Sequence, residues 1–217
     1  MQRQHVRSDE LVSGPLPPLG TDAARELLVA VDARAVILVE GWSDQAALES
    51  LAMRQGRDLA LEGIVVMPTG GITNFGKFAE ALGPRGLGAR LAGLCDAAEA
   101  SYLASVVQRQ GLGSASTRET MEALGFFVCD ADLEDELIRS LGTAAVERVV
   151  AAQDELDSFR TFQEQPQQRG RSTHAQLRRF LGTRAHRKIR YGSLLVGALP
   201  LENVPRALDL VLGHHRR

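Results

Sequence analysis

Four short apolar runs, separated by stretches with helical spacing, organise the first two-thirds of the chain. The runs lie at 35–39, 63–68, 91–95 and 125–129. Apolar runs of this length, bounded by glycine, proline or acidic residues, are typical of buried strands. Because helical connections join strands in parallel order, the pattern predicts an α/β fold with a central, mostly parallel four-stranded sheet flanked by helices.

Helical spacing of apolar residues fills much of the remaining chain. Around the first strands it predicts helices at 21–31, 43–55 and 74–82, with Ser43 as the N-cap of the second. The second half is helical, with predicted helices at 133–141, 144–156, 173–180, 187–199 and 204–212 and a polar loop at 163–171. The pattern predicts a flexible Gly- and Pro-rich arm at 1–20, an α/β core at 21–142 and a helical C-terminal part at 143–217 packed on that core.

Acidic side chains follow three of the predicted strands. Glu40 closes the first strand, Asp96 the third and Asp130 the fourth. The carboxyl ends of parallel strands meet at one edge of a sheet, where open α/β folds bind their ligands. Further acids lie close behind these strand ends, namely Asp44, Glu99, Asp132 and Glu134. Since like charges repel unless cations neutralise them, we predict a site for Mg²⁺ or Mn²⁺ at this edge.

A second explanation is open for some of these acids. Asp44 is expected in the first turn of a helix, where a carboxylate complements the helix dipole. The same explanation covers the acidic run at 130–136, and we assign it to Asp135 and Glu136. Taken alone, Glu40 and Asp44 do not define a metal site, but the coincidence of three acidic strand ends favours one.

Composition and charge narrow the class of protein. The chain has 217 residues, 44% hydrophobic and 24% charged, as in ordinary globular domains. It has no signal-peptide pattern and no apolar segment of the roughly 20 residues that cross a bilayer, so we expect a cytoplasmic protein without membrane contact. Its two cysteines, Cys95 and Cys129, lie inside apolar runs and are expected as buried thiols.

The net charge of −2 conceals a division between the two ends of the chain. Residues 160–217 carry 12 Arg and Lys against 3 Asp and Glu, whereas residues 1–159 carry 13 against 24. An acidic part that holds a cation and a basic part that holds phosphates are typical of enzymes acting on nucleic acids. A solvated basic helical face, or a contact with the acidic part, explains the division equally well.

Four motifs together resemble a known family. They are VEGxxD at 39–44, the glycine pair at 70–71, an aspartate closing the third strand, and DADLEDELI at 130–138. Over about residues 35–199 the chain resembles the TOPRIM domain of nucleases of the overcoming-lysogenization-defect (OLD) type. The resemblance implies a Rossmann-like TOPRIM fold with a helical C-terminal extension that cleaves or joins phosphodiesters with divalent metal. It also implies that Glu40 and Asp96 are catalytic, and that Asp44 and Glu134 are further acids of the site.

One position departs from the family pattern. TOPRIM domains carry a DxD pair, but here Asp96 is followed by Ala97 and Ala98. The ligand role of the missing aspartate must therefore pass to Glu99, Asp130 or Asp132, or be lost. In the last case the domain would be a catalytically degenerate module that binds nucleic acid or a partner.

A basic segment near the end of the resemblance supplies positive charge. OLD nucleases have a basic residue there, and Lys188, one of two lysines in the chain, occupies that place. A lysine can stabilise the charge that develops on a phosphoryl group, so we predict a catalytic role, with a surface helix position as the alternative. Its neighbours Arg187 and Arg190 are predicted to bind phosphate or nucleic acid.

The other lysine belongs to a glycine loop that imitates a nucleotide-binding motif. Residues 71–77 match GxxxxGK between a strand and a helix, but Phe78 stands where a P-loop needs Ser or Thr to hold magnesium. ATP binding is therefore the weaker alternative. In the family interpretation, Gly70 and Gly71 let the backbone pass close to the metal edge, and Asn74 and Lys77 face a phosphate.

These observations predict a Mg²⁺- or Mn²⁺-dependent endonuclease acting on DNA. In OLD nucleases the TOPRIM domain is usually fused to an ABC-type ATPase, and these 217 residues contain no such module. We therefore hypothesise an ATPase partner in trans. The sequence leaves the oligomeric state open, with a dimer among the options.

Overall fold

A sheet of four parallel strands forms the centre of the computed structural model, which describes residues 19–216. The strands are β1 (Ala35–Val39), β2 (Ile64–Pro68), β3 (Arg90–Cys95) and β4 (Phe126–Val128), in the order β2-β1-β3-β4. Every pairing is parallel. The predicted four-stranded sheet is confirmed, and the predicted arm lies outside the described residues except for its last two positions.

Eleven α-helices accompany the sheet within residues 19–216. They are α1 (Thr21–Ala30), α2 (Trp42–Arg54), α3 (Phe75–Leu82), α4 (Ala100–Arg109), α5 (Arg118–Ala123), α6 (Leu133–Leu141), α7 (Thr143–Ala151), α8 (Leu156–Glu164), α9 (Thr173–Leu181), α10 (Ala185–Ala198) and α11 (Arg206–Gly213). Among these described residues, no helix is long and apolar enough to cross a membrane.

Three predictions about helices differ from the structure. The sequence pattern missed α4 and α5, which connect β3 to β4, and it also missed α8. The predicted helix at 144–156 ends at Ala151, because Asp154 adopts a left-handed backbone conformation (φ 57°). The predicted polar loop at 163–171 begins inside α8. This helix is held in place because Phe159 and Phe162 pack against Phe180, with ring centres 5.1 and 5.6 Å apart.

Side chains on the two faces of the sheet belong to two hydrophobic clusters, as the alternation of strand residues requires. Val36 and Leu38 face one cluster, which is completed by α1, α3, α4 and α5. Ile37 and Val39 face the other, which contains residues of α2 and of every helix from α6 to α11. The C-terminal helices therefore complete the core of the sheet. The buried thiols Cys95 and Cys129 are free, as expected.

Helix α10 packs directly on α2, and a glycine makes the approach possible. A Cβ atom at Gly192 would lie 2.7 Å from the backbone oxygen of Ser43, closer than real Cβ atoms approach backbone. At the far end of the same contact, the Arg54 guanidinium donates hydrogen bonds to the carbonyl oxygens of Val196 and Leu199. This packing brings Lys188, one helical turn before Gly192, to the carboxyl edge of the sheet.

Candidate active site

The turn after β1 directs two carboxylates to the carboxyl edge of the sheet. Glu40 follows the last residue of β1, and Gly41, in extended conformation (φ −143°), is the N-cap of α2. The Asp44 carboxylate accepts a hydrogen bond from the Gly41 N–H at 2.9 Å. The prediction of Ser43 as N-cap is wrong, because Asp44 reaches back to the N-cap backbone and the helix begins one residue before Ser43.

Backbone hydrogen bonds hold the end of β1 in place. The Thr69 N–H donates to the Val39 carbonyl and the Gly71 N–H to the Glu40 carbonyl, both at 2.9 Å. The Glu40 side chain in turn accepts a hydrogen bond from the Asp96 N–H at 3.2 Å. The glycine loop and the end of β3 therefore fix the backbone and the side chain of Glu40.

Three carboxylates converge at this edge. One oxygen from each of Glu40, Asp96 and Glu99 lies within 4.8 Å of the other two. Glu99 reaches the group because Ala97–Glu99 forms a single 3-10 turn directly after Asp96. Carboxylate oxygens are the ligands that Mg²⁺ prefers in proteins, so the donors fit a hard divalent cation. Of the residues considered for the missing second aspartate, Glu99 is the one that joins Glu40 and Asp96.

The carboxyl groups at this edge hold their protons more tightly than usual. Burial, and then repulsion from Glu40 and Asp44, raises the pKa of Asp96 to about 8. Burial also raises the pKa of Glu134 to about 7 and raises the pKa values of Glu40 and Asp44. A cation placed among these groups would favour their charged forms, and raised pKa values are common at functional sites.

The raised pKa of Asp96 predicts how the stability of the metal-free protein depends on pH. Because the folded-state pKa of about 8 exceeds the ordinary value of 3.8, the folded protein binds more protons between these pH values. The free energy of unfolding should fall as the pH rises through this window. Asp96→Asn removes the titration and is expected to stabilise the protein at pH 8 by on the order of 1–2 kcal/mol, after discounting for solvent screening.

Urea unfolding in EDTA at pH 5 and pH 8 measures this effect. Glu80→Gln, at an exposed position on α3, is the control and should keep the pH dependence of the wild type. Identical pH dependence in wild type and Asp96→Asn would contradict the prediction.

Lys188 brings the positive charge of α10 to the acidic edge. Its Nζ lies 3.5 Å from a carboxylate oxygen of Glu134, and its side chain remains 40% exposed. Burial alone would lower the pKa of Lys188, but the carboxylates of Glu134 and Asp44 outweigh it and raise the pKa above its ordinary value. The lysine is therefore charged and accessible beside the carboxylates.

Two of the predicted acids are engaged elsewhere. Asp130 is 53% exposed and pairs with Arg118 at 3.0 Å and Arg139 at 3.1 Å, which hold its pKa below the ordinary range. Asp132 caps α6 by accepting a hydrogen bond from the Asp135 N–H, and its other oxygen lies 2.6 Å from an Arg178 nitrogen. The structure does not bring either residue into the carboxylate group of Glu40.

Arg187 and Arg190 pair with an acid that the sequence analysis did not single out. Glu155 accepts hydrogen bonds from Arg187 at 3.0 Å and from Arg190 at 2.6 Å. Arg187 is 7% exposed and stacks on Phe180, with its guanidinium carbon 4.0 Å from the ring centre. Both arginines therefore support the packing of α8, α9 and α10.

Hydrogen bonds from a side chain of the glycine loop stabilise the backbone of the same loop. Gly70 and Gly71 have positive φ angles of 75° and 115°, a conformation that glycine adopts without strain. The Asn74 amide donates hydrogen bonds to the carbonyls of Thr69 at 3.0 Å and Gly70 at 3.4 Å. Lys77 is exposed on α3. Asn74 therefore stabilises the backbone of the loop. The loop in turn holds Glu40 in place through the hydrogen bond from the Gly71 N–H to the Glu40 carbonyl.

Comparisons with known proteins agree with this geometry. The family model of the overcoming-lysogenization-defect-protein-like TOPRIM domain matches residues 33–97, which include Glu40, Asp44 and Asp96. The C-terminal region of the Burkholderia pseudomallei OLD protein has a TM-score of 0.62 and 21% identity, over 85% of this chain and 97% of that one. The C-terminal region of the Xanthomonas campestris pv. campestris OLD protein has a TM-score of 0.64 and 24% identity, over 85% and 95%.

These findings define the class of the fold. The chain contains a TOPRIM domain that resembles that of OLD proteins. The predicted Rossmann-like TOPRIM fold, with its parallel sheet and helical C-terminal extension, is confirmed. No curated protein matches the chain significantly.

Proposed function

We infer that the protein is a metal-dependent nuclease that cleaves DNA at the carboxyl edge of its sheet. The observation that carries this proposal is the convergence of Glu40, Asp96 and Glu99 within 4.8 Å. The TOPRIM resemblance supports a phosphodiester as the bond that is acted on, since domains of this type break or join such bonds with divalent metal. Glu99 takes the ligand role of the aspartate that Ala98 replaces.

Some residues at this edge would bind a cation, and Lys188 would stabilise the negative charge on the phosphoryl group. Glu40, Asp96 and Glu99 would hold Mg²⁺ or Mn²⁺, with Asp44 and Glu134 adding negative charge close by. A bound divalent ion would polarise the phosphoryl oxygen and lower the pKa of water. Lys188 can donate a hydrogen bond to a non-bridging phosphate oxygen and stabilise the charge that develops there.

Glu134 and Lys188 form a pair beside the proposed metal ligands, with the Lys188 Nζ 3.5 Å from a Glu134 carboxylate oxygen. In the metal-free protein, burial raises the pKa of Glu134 to about 7, and the charge of Lys188 opposes this rise. A bound cation would favour the charged form of Glu134.

Cleavage of supercoiled and linear DNA with Mn²⁺ tests the proposal. Glu40→Gln and Glu99→Gln are each expected to lower the cleavage rate at least about 100-fold, since each removes a charged group aimed at the reacting centre. Glu80→Gln, exposed on α3, is the matched control and should cleave like the wild type.

Cleavage, together with calorimetric titration with Mn²⁺ and ATP, separates the outcomes. Equal cleavage by wild type and Glu40→Gln would refute a nuclease centre at this edge. Mn²⁺ binding that depends on Glu40, without cleavage, would instead favour the degenerate binding module that Ala98 motivates. ATP binding lost in Lys77→Ala would favour the alternative function for the glycine loop.

A further inference from the structure

A groove leads from the acidic edge along the C-terminal helices. It has a volume of about 640 Å³ and lies between the start of α6 and the helices α9 and α10. Glu134 and Lys188 are among the residues that line it, so the groove lies beside the candidate active site.

Arginines form part of the wall of the groove. Arg171, Arg178 and Arg179 line it, together with the small residues Ala175 and Gly182. All three arginines are exposed. Small residues beside exposed guanidinium groups leave room for a chain of phosphates to lie against the wall.

The three guanidinium groups differ in how they are held. The Arg171 Nε donates to the Gln167 carbonyl at 2.8 Å, which orients the group and leaves its two terminal nitrogens for a ligand. Arg178 is bound to Asp132 through two nitrogens at 2.8 and 2.6 Å. No residue in the range 19–216 forms an ion pair or a side-chain hydrogen bond with Arg179. Arg171 and Arg179 are therefore the two cations of the wall that are ready to bind an anion.

We propose that this groove binds the sugar–phosphate backbone of the nucleic-acid substrate, with Arg171 and Arg179 each contacting one phosphate beside the cleaved one. The proposal rests on the proposed nuclease function and adds the site that positions its substrate. Arginine binds phosphate through paired N–H donors, and phosphate contacts position nucleic acid without reading its sequence. Part of the basic charge of the C-terminal helices thereby belongs to the internal network around Glu155, and another part to this wall.

Binding of a labelled 20-base-pair DNA duplex tests the groove. EDTA removes divalent metal, so that binding is measured without cleavage. The double variant Arg171→Ala/Arg179→Ala is expected to bind at least about tenfold more weakly. The slope of log affinity against log salt concentration should become shallower by about 2, since each lost phosphate contact removes close to one counterion. Arg171→Lys/Arg179→Lys keeps both charges and should keep the slope of the wild type.

A matched control uses arginines of the same part of the chain that do not line the groove. Arg169→Ala/Arg184→Ala removes two exposed charges on either side of α9 and should bind within about twofold of the wild type. Circular dichroism verifies that all variants are folded. Equal losses in the groove and control variants, unchanged binding by the groove variant, or no binding by the wild type would each overturn the proposal.

The outcomes also separate the groove from the nuclease function. DNA binding that depends on Arg171 and Arg179, in a protein that does not cleave with Mn²⁺, would refute the nuclease alone. Cleavage that depends on Glu40, with DNA binding indifferent to both arginines, would refute the groove alone.

Discussion

Lys188→Met is expected to lower Mn²⁺-dependent DNA cleavage about 100- to 1000-fold, the range found when one charge-stabilising donor is removed from an active site. The lysine is the cation that lies 3.5 Å from Glu134 and faces the carboxylates of Asp44 and Asp96. Methionine keeps the length of the apolar stem and loses the charge. The rate constant of single-turnover cleavage measures the effect without interference from product release.

Lys188→Arg and Arg148→Met complete the experiment. Arginine restores the charge but spreads it over a wider, planar group, so Lys188→Arg should recover only part of the rate. Arg148 is exposed on α7, and Arg148→Met should leave cleavage unchanged. Cleavage by Lys188→Met at the rate of the wild type would show that Lys188 is a surface helix residue without a catalytic role.

Gly192→Ala is expected to destabilise the protein by about 1–3 kcal/mol, because an added methyl group cannot be accommodated where two helices touch. The new Cβ atom would lie 2.7 Å from the Ser43 carbonyl oxygen, and neither helix backbone can move away without disturbing the core. Gly197→Ala, in the same helix, meets no heavy atom within 4 Å and should be neutral or stabilising by up to about 1 kcal/mol. Urea unfolding of the two variants in parallel measures the difference.

The same pair of variants tests how Lys188 is positioned. Gly192→Ala should also lower the cleavage rate, since a shift of α10 away from Ser43 would move Lys188 relative to Glu134. Gly197→Ala should cleave like the wild type. Gly192→Ala that matches Gly197→Ala in both stability and cleavage would contradict the close helix approach.

Much of the α/β core could be predicted from local patterns. β1 has the predicted bounds, and the other three strands begin or end within one residue of the prediction. Parallel order places Glu40 and Asp96 at the same edge of the sheet. The pairing of β1 with β3, which the structure shows, brings the two residues together. The cap of α2 could not be predicted in the same way, because Ser43 is a good capping residue, whereas the structure has Gly41 as the N-cap and Asp44 accepting a hydrogen bond from its N–H.

The sequence by itself determined the parallel sheet, its acidic edge and the resemblance to OLD-type TOPRIM domains. Only the tertiary structure separated Glu99, which faces Glu40, from Asp130, which pairs with Arg118 and Arg139. It also placed Arg187 in the core network of Glu155. The physical reason is that the direction of a side chain depends on which helix packs against it. Helix α10 packs on α2 although more than 130 residues of sequence separate the two helices.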